Sequence, residues 1–182
     1  NAGFPVERHA VEENAVEAAV DTLLNAQKHS GGTRFRHRIE HCSECPPALL
    51  EKLVRSGAMV VTNPGFLYWS GERYLEQVHA SQQPWLYRIR SLREMGIALA
   101  FGSDAPIELP DPATQLYGAV TRTASTRQKL SPRECVTITD ALNLHTAGGA
   151  YASGLDTETG VLKEGMWADL VLLERDPVEA GE

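Results

Sequence analysis

At 182 residues with 42% apolar content, the chain is long enough to bury one substantial core and to carry a small appendage. Its 17 basic and 24 acidic residues give a formal charge of −7 with no block of like charge, which argues against a nucleic-acid partner or an anionic membrane surface. No apolar run approaches the roughly 20 residues of a membrane span, no basic region leads into an apolar stretch at the N-terminus, and three cysteines are too few and odd in number for a secreted disulfide scaffold, so a soluble, cytoplasmic protein is expected.

The chain opens on Asn1-Ala2-Gly3 without a methionine and enters a strand-like segment at once, which reads as a truncated beginning. Phe4 to His9 is extended. Val11, Ala15, Val16, Ala19, Val20, Leu23 and Leu24 then recur at helical spacing, with Gly31-Gly32 as the stop. His37 to His41 is the next strand, and Pro46-Pro47 opens a helix carrying Leu49, Leu50, Leu53 and Val54 that Gly57 ends. Ala58 to Thr62 is a third strand, bounded by Asn63-Pro64-Gly65. A long loop leads to Pro84, a helix face of Leu86, Ile89 and Leu92 ends at Gly96, and Ile97 to Phe101 is the fourth strand. Beyond it, helices are expected over 114–124, from Ser131-Pro132 with Glu134 closing a capping box, and over 139–151. Residues 160–165 and 168–173 read as two strands with a turn between them.

Strands that are nearly continuous in apolar residues and alternate with helices indicate parallel βα units. A barrel of eight such units averages about 31 residues per unit. The step from His9 to His41 is 32 residues and that from His41 to Asp104 is 63, so the three residues fall at the C-terminal ends of strands, with the strand leading to Asn63 between the last two. That is the end at which α/β folds keep their active sites. The division expected is a partial barrel over 1–155 and a small β appendage over 156–182.

Two imidazoles and a carboxylate are the ligands of a zinc-type hydrolytic site, where a metal polarises a carbonyl and brings the pKa of its water to about 7. Asp104 in such a site both binds metal and takes a proton from the attacking water for delivery to a leaving amine. Each histidine taken singly also has a structural reading, as a satisfied strand-end side chain. Other residues have paired readings. Cys42-x-x-Cys45 beside His41 is a zinc or redox pair, or two loop thiols, and no second ligand pair stands nearby. Asn63 contacts substrate or forms the Asn-Pro-Gly turn. Phe66, Tyr68 and Trp69 line a hydrophobic pocket or pack their loop on the rim, and His145 falls in a helix with a structural role.

Three strings carry a family resemblance: Arg38-Ile39-Glu40-His41, Ala100-Phe101-Gly102-Ser103-Asp104-Ala105-Pro106, and Gly160-Val161-Leu162-Lys163-Glu164-Gly165-Met166-Trp167-Ala168-Asp169-Leu170-Val171-Leu172. With an Ala-Val-Thr-Arg segment ending at Arg122, they resemble the amidohydrolase superfamily across nearly the whole chain, in the branch similar to N-substituted formamide deformylase. The resemblance implies strands five to eight of a (β/α)8 barrel, with His9 and His41 as metal-binding histidines of the fifth and sixth strands. It implies that Asp104, on the eighth, is metal ligand and proton shuttle together. The tail becomes the C-terminal part of a β-sandwich, and the cofactor a divalent metal, zinc above others. Arg122 orients substrate or braces the site, or is a helix-surface arginine paired with a carboxylate.

His9 is followed by Ala10-Val11-Glu12-Glu13 where relatives usually have Ala-x-Gly-Asp. The family's His-x-His pair of the first strand and the bridging lysine or other ligand of the fourth have no counterpart, since the remaining histidines are His29, His37, His79 and His145. The expected activity is hydrolysis of a non-peptide C–N amide-type bond through a metal-activated hydroxide. The expected partners are a small amide-type substrate and the missing half of the barrel, and the chain alone is expected to be inactive. Half a barrel has open edges and exposed helix faces, so self-association is a further expectation. A deaminase or cyclic amidase of the same superfamily, or a non-catalytic barrel scaffold, are the alternatives.

Overall fold

A computed structural model of the chain describes residues 4–30 and 35–180. The Asn1-Ala2-Gly3 opening and the Gly31-Gly32 stop lie outside the described residues. Four short strands, β1 (Glu7–Ala10), β2 (Arg38–His41), β3 (Met59–Thr62) and β4 (Leu99–Phe101), form one sheet in the order β1-β2-β3-β4. All three pairings are parallel. Between them run α1 (Glu13–Ser30), α2 (Pro47–Ser56), and, after β3, α3 (Gly65–Trp69), α4 (Gly71–Gln77) and α5 (Ile89–Glu94). Sequential strands that are also spatial neighbours, each reached through a helix, are the βαβ arrangement expected of part of a barrel.

The core lies between the sheet and its helices. Parallel partners point to the same face, and alternation puts Ala10, Ile39, Val60, Leu99 and Phe101 toward Val16, Val20, Leu49, Leu53, Ile89 and Leu92, all buried. Each of these side chains larger than Ala10, fully buried, stabilises the fold by roughly 1.5–3 kcal/mol. The opposite face carries Glu7, His9, Arg38 and Glu40 on β1 and β2 and the apolar Met59, Val61 and Ala100 on β3 and β4; Arg38 knits its polar half together by bonding Glu7, Glu40 at 2.9 Å and the Ala152 carbonyl at 2.8 Å.

α2 follows its sequence signals closely: Pro47 stands in its first turn, and Gly57, at φ 62°, donates its N–H to the Val54 carbonyl. The expected long loop after Asn63 is instead helical. Phe66 and Leu67 are buried there, and the segment packs so tightly on α6 (Pro112–Thr121) that a Cβ on Gly118 would stand 2.1 Å from the Pro64 carbonyl oxygen. Tertiary packing, not local propensity, makes these turns helical.

Three further expectations are corrected. Ser131-Pro132 opens only a single 3₁₀ turn (Pro132–Glu134), because Glu134 does not close a capping box. It accepts instead from the Ser91 N–H at 2.9 Å and so caps α5, which lies 43 residues earlier. The helix expected over 139–151 is two, α7 (Ile138–His145) and α8 (Ala147–Ser153), meeting at Thr146. Residues 160–165 and 168–173 form no strand: Leu170, Val171 and Leu172 are exposed, up to 99%, and no ladder among the described residues accepts their backbone. A strand exists only when a neighbour pairs with it. The tail ends in α9 (Pro177–Ala180), and among the described residues no helix is long and apolar enough to cross a membrane.

Candidate metal centre

His9 and His41 meet at the C-terminal ends of β1 and β2, with His9 Nδ1 and His41 Nε2 3.0 Å apart and the rings edge-to-face at 4.5 Å between centroids. Strand alternation alone would not bring them together. His41 is the register partner of Ala10, whose side chain faces the helices, whereas His9 pairs with Glu40 on the opposite face. The backbone breaks out of the strand at this point: His41 has φ 70° and Cys42 φ 51°. These left-handed conformations turn the imidazole toward His9, and such strain is characteristic of functional sites. The turn is held by the Cys42 N–H, which donates to the Ala10 carbonyl at 2.9 Å.

Asp104, also at positive φ (59°), follows β4 and puts a carboxylate oxygen 4.0 Å from His41 Nε2. His41 is buried while Asp104 is 37% exposed, so the site is a floor of imidazole open on the carboxylate side. Phe66 closes one wall, its ring 6.2 Å from His41, and Tyr87 stands 6.3 Å behind it. Of the three aromatic residues expected in the loop, Phe66 alone borders this site by ring contact with His41. Tyr68 and Trp69 stack on each other edge-on.

Asn63 is buried at the end of β3 and ties that strand end to the Gly102 carbonyl through Nδ2 at 2.7 Å, leaving Oδ1 without a protein partner. Arg122 is elsewhere. It is completely buried, and its guanidinium donates to the carbonyls of Leu130 (2.7 Å), Tyr87 (2.8 Å) and Leu86 (2.8 Å). Burial lowers its pKa to about 10. With its donors spent on main chain, it is a brace beneath the 122–130 segment, neither facing an open substrate cleft nor pairing on the surface with a carboxylate.

Glu108 is the residue the sequence did not single out. It lies in the proline-rich loop after Asp104, with a carboxylate oxygen 3.2 Å from where a Cβ on Gly65 would stand. Partial burial, reinforced by the negative charge of Asp104 and opposed by Arg73, pushes its pKa up to about 7. A lone acid between Ile107 and Leu109 gives no sequence signal of that neighbourhood.

Cys42 and Cys45 are free thiols of the loop after β2, both buried, and the hydrogen bond between them, with burial, pushes the Cys42 thiol up. His29 and His79 bond locally to Asn25 and Ser81, and His37 Nδ1 accepts from the Val6 N–H at the start of the neighbouring strand segment. His145 sits in the last turn of α7, half-buried, and burial lowers its pKa.

The model of the amidohydrolase family matches residues 1–182, the whole chain. The chain belongs to the amidohydrolase family. It is 28% identical over 178 residues to the N-substituted formamide deformylase of Arthrobacter pascens, covering 97% of this chain and 33% of that protein. It spans about a third of the length of the curated relatives it matches. Among solved structures, this amidohydrolase chain is similar to an uncharacterized metal-dependent hydrolase from Pyrococcus horikoshii, with a TM-score of 0.84, 30% identity, and coverage of 97% of this chain and 35% of that one. A second, from Pyrococcus furiosus, has a TM-score of 0.81 and 29% identity, with coverage of 97% and 34%.

The donor chemistry suits a divalent metal: two imidazole nitrogens already 3.0 Å apart and a carboxylate beside one of them. The number does not complete one. Among the described residues no group of three or more His, Cys, Asp or Glu side chains is gathered closely enough to hold an ion.

Proposed function

We propose that the polypeptide carrying this chain hydrolyses a non-peptide C–N amide-type bond in a small molecule, and that residues 4–155 supply strands five to eight of its (β/α)8 barrel. The observation that carries the reading is the meeting of His9 and His41 at 3.0 Å, with Asp104 4.0 Å from His41, at the strand ends of a chain matched throughout by the amidohydrolase family. His9, His41 and Asp104 would hold a divalent metal, zinc by donor type, together with ligands from the other half of the barrel. When bound, that metal supplies Lewis acidity to the scissile carbonyl and to the attacking water.

The chain's own residues do the rest. Binding requires a free lone pair on both facing nitrogens, so the hydrogen bond between His9 and His41 must open, and both imidazoles must be neutral. Asp104, more exposed than His41, is placed to take the proton from attacking water and return it to the nitrogen of the leaving amine as the C–N bond breaks. The products are a carboxylate and an amine. Phe66 limits water on one side of His41, and Asn63 keeps the end of β3 in line with the loop that carries Asp104. Arg122 acts by bracing and not by touching substrate. The tail over 156–180 supplies sandwich strands once its partners are present.

The test combines metal analysis of the full polypeptide with a screen of N-formyl amines against hydantoins and aminated bases. Bound zinc with turnover of an N-formyl amine is the expected result. Turnover confined to hydantoins or aminated bases would move the reading to a cyclic amidase or deaminase. No metal bound, and none taken up on dialysis, would leave a scaffold.

A further inference from the structure

On the outer side of α3, away from the histidines, a cleft of about 540 Å³ is lined by Tyr68, Ala113, Thr114, Tyr117, Ala124, Ser125 and Arg127. Phe66, which faces His41, and Tyr68, which faces this cleft, are two positions apart on α3, about 200° around the helix. The two sites therefore share a helix but not a surface.

Its walls are chemically consistent. Tyr68 is edge-on to Trp69 (4.9 Å, 82°) and to Tyr117 (5.7 Å, 90°), so three aromatic rings are held at right angles in sequence. Tyr117, which lines the cleft, remains 44% exposed, which leaves its ring face free for an inserted planar group. Arg127 is the one charged residue in the lining, in a chain whose net charge is −7. It has no ion pair or side-chain hydrogen bond with any described residue, and it occupies φ 71°, where a glycine would sit with less strain. The acid nearest along α6, Asp111, is already committed to capping that helix through the N–H groups of Ala113 and Thr114 at 3.1 Å each.

The turn bearing Arg127 is fixed to the aromatic wall. Ser125 N–H donates to the Tyr68 carbonyl at 2.9 Å, and Arg127 N–H to the Ala124 carbonyl at 2.8 Å. The buried Arg122 fastens the same segment from beneath through the Leu130 carbonyl. A preformed aromatic wall with an unpaired guanidinium at its edge recognises a flat ring bearing an anion, because arginine bonds a carboxylate with strong, charge-assisted hydrogen bonds.

We infer that this cleft is a binding site, separate from the metal centre, for a small aromatic carboxylate. Its stacking surface is Tyr68 and Tyr117, with Trp69 behind Tyr68, and its anion anchor is Arg127.

The test is saturation-transfer NMR on the full polypeptide, with 2-naphthoate as probe and 2-naphthamide and cyclohexanecarboxylate as controls. Saturable binding of 2-naphthoate is expected, about tenfold tighter than either control. Arg127→Gln, at an exposed position, should erase the preference for naphthoate over naphthamide while leaving the circular dichroism spectrum unchanged. Tyr117→Ala should weaken both aromatic probes. Asp104→Asn should leave naphthoate binding unaltered, so failure of the metal reading would not be confused with failure of this one. Naphthoate binding that does not saturate, that equals naphthamide binding, or that survives Arg127→Gln at full strength in a folded variant overturns the assignment.

Discussion

The strand ends and the layer beneath them are built from the same four strands but by opposite rules. Beneath, Ile39, Val60, Leu99 and their helix partners are buried in regular strand register on one face of the sheet. At the strand ends, His41, Cys42 and Asp104 abandon strand geometry for positive φ, polar groups face one another, and Asp104 stays 37% exposed. The contrast teaches that the site is a deviation the core must be stable enough to hold. Variants at the strand ends should therefore lose activity without losing the fold, and variants in the layer beneath should do the reverse.

The largest expected effect is on activity. Asp104→Asn in the full polypeptide should lower kcat by roughly 10²- to 10⁴-fold, as loss of a proton-transfer group does, with Tm nearly unchanged. Steady-state kinetics beside a melting curve checks both halves. A Tm loss as large as that of a core variant would erase the contrast.

Next is Arg122→Met, which should destabilise by about 2–5 kcal/mol, because the carbonyls of Leu86 and Leu130 are left buried without a donor, while that of Tyr87 keeps the Ile89 N–H. Urea unfolding reads this directly, and a loss below about 1 kcal/mol would show that water replaces the guanidinium. Gly118→Ala comes third. Its Cβ would press on the Pro64 carbonyl at 2.1 Å, so α3 and α6 must separate at a cost of about 1–3 kcal/mol. Because Phe66 rides on α3, activity should fall as well, and this variant alone is expected to cross the boundary between the two regions.

The smallest effect concerns pH. The folded chain raises the pKa of Glu108 from 4.5 to about 7, so the folded state binds that proton more tightly than the unfolded one. The associated stabilisation is complete below the unfolded pKa and is lost as pH rises through the folded value. Glu108→Gln should thus match the parent in Tm near pH 4.5 and exceed it increasingly up to about pH 8. A difference that stays flat across that window would mean that Glu108 is not held protonated by its surroundings.

Much of the scaffold was legible because the signals are local. Pro47 and Gly57 bound α2 as their chemistry requires, and the four strands lie within a few residues of the apolar runs that announced them. The 32-residue step from His9 to His41 marked both as strand-end residues, and adjacent strands then made their meeting possible. Less of the site was legible. The sequence left Arg122 between orienting substrate, bracing the site and pairing on the surface, and its partners are carbonyls up to 36 residues away in sequence. Nothing around Glu108 in the sequence announces Asp104 and Gly65 as neighbours.

By itself, then, the sequence determined the order of βα units, the hydrophobic layer between sheet and helices, and which side chains end the strands, because periodicity and capping act over a few residues. Only the tertiary structure decided the rest: the inward turn of His41, the capping of α5 by Glu134, the burial of Arg122 and the unpaired state of residues 168–173. Each depends on backbone or side-chain partners that lie far away in sequence, and a strand or a charge without its partner has no structure of its own to announce.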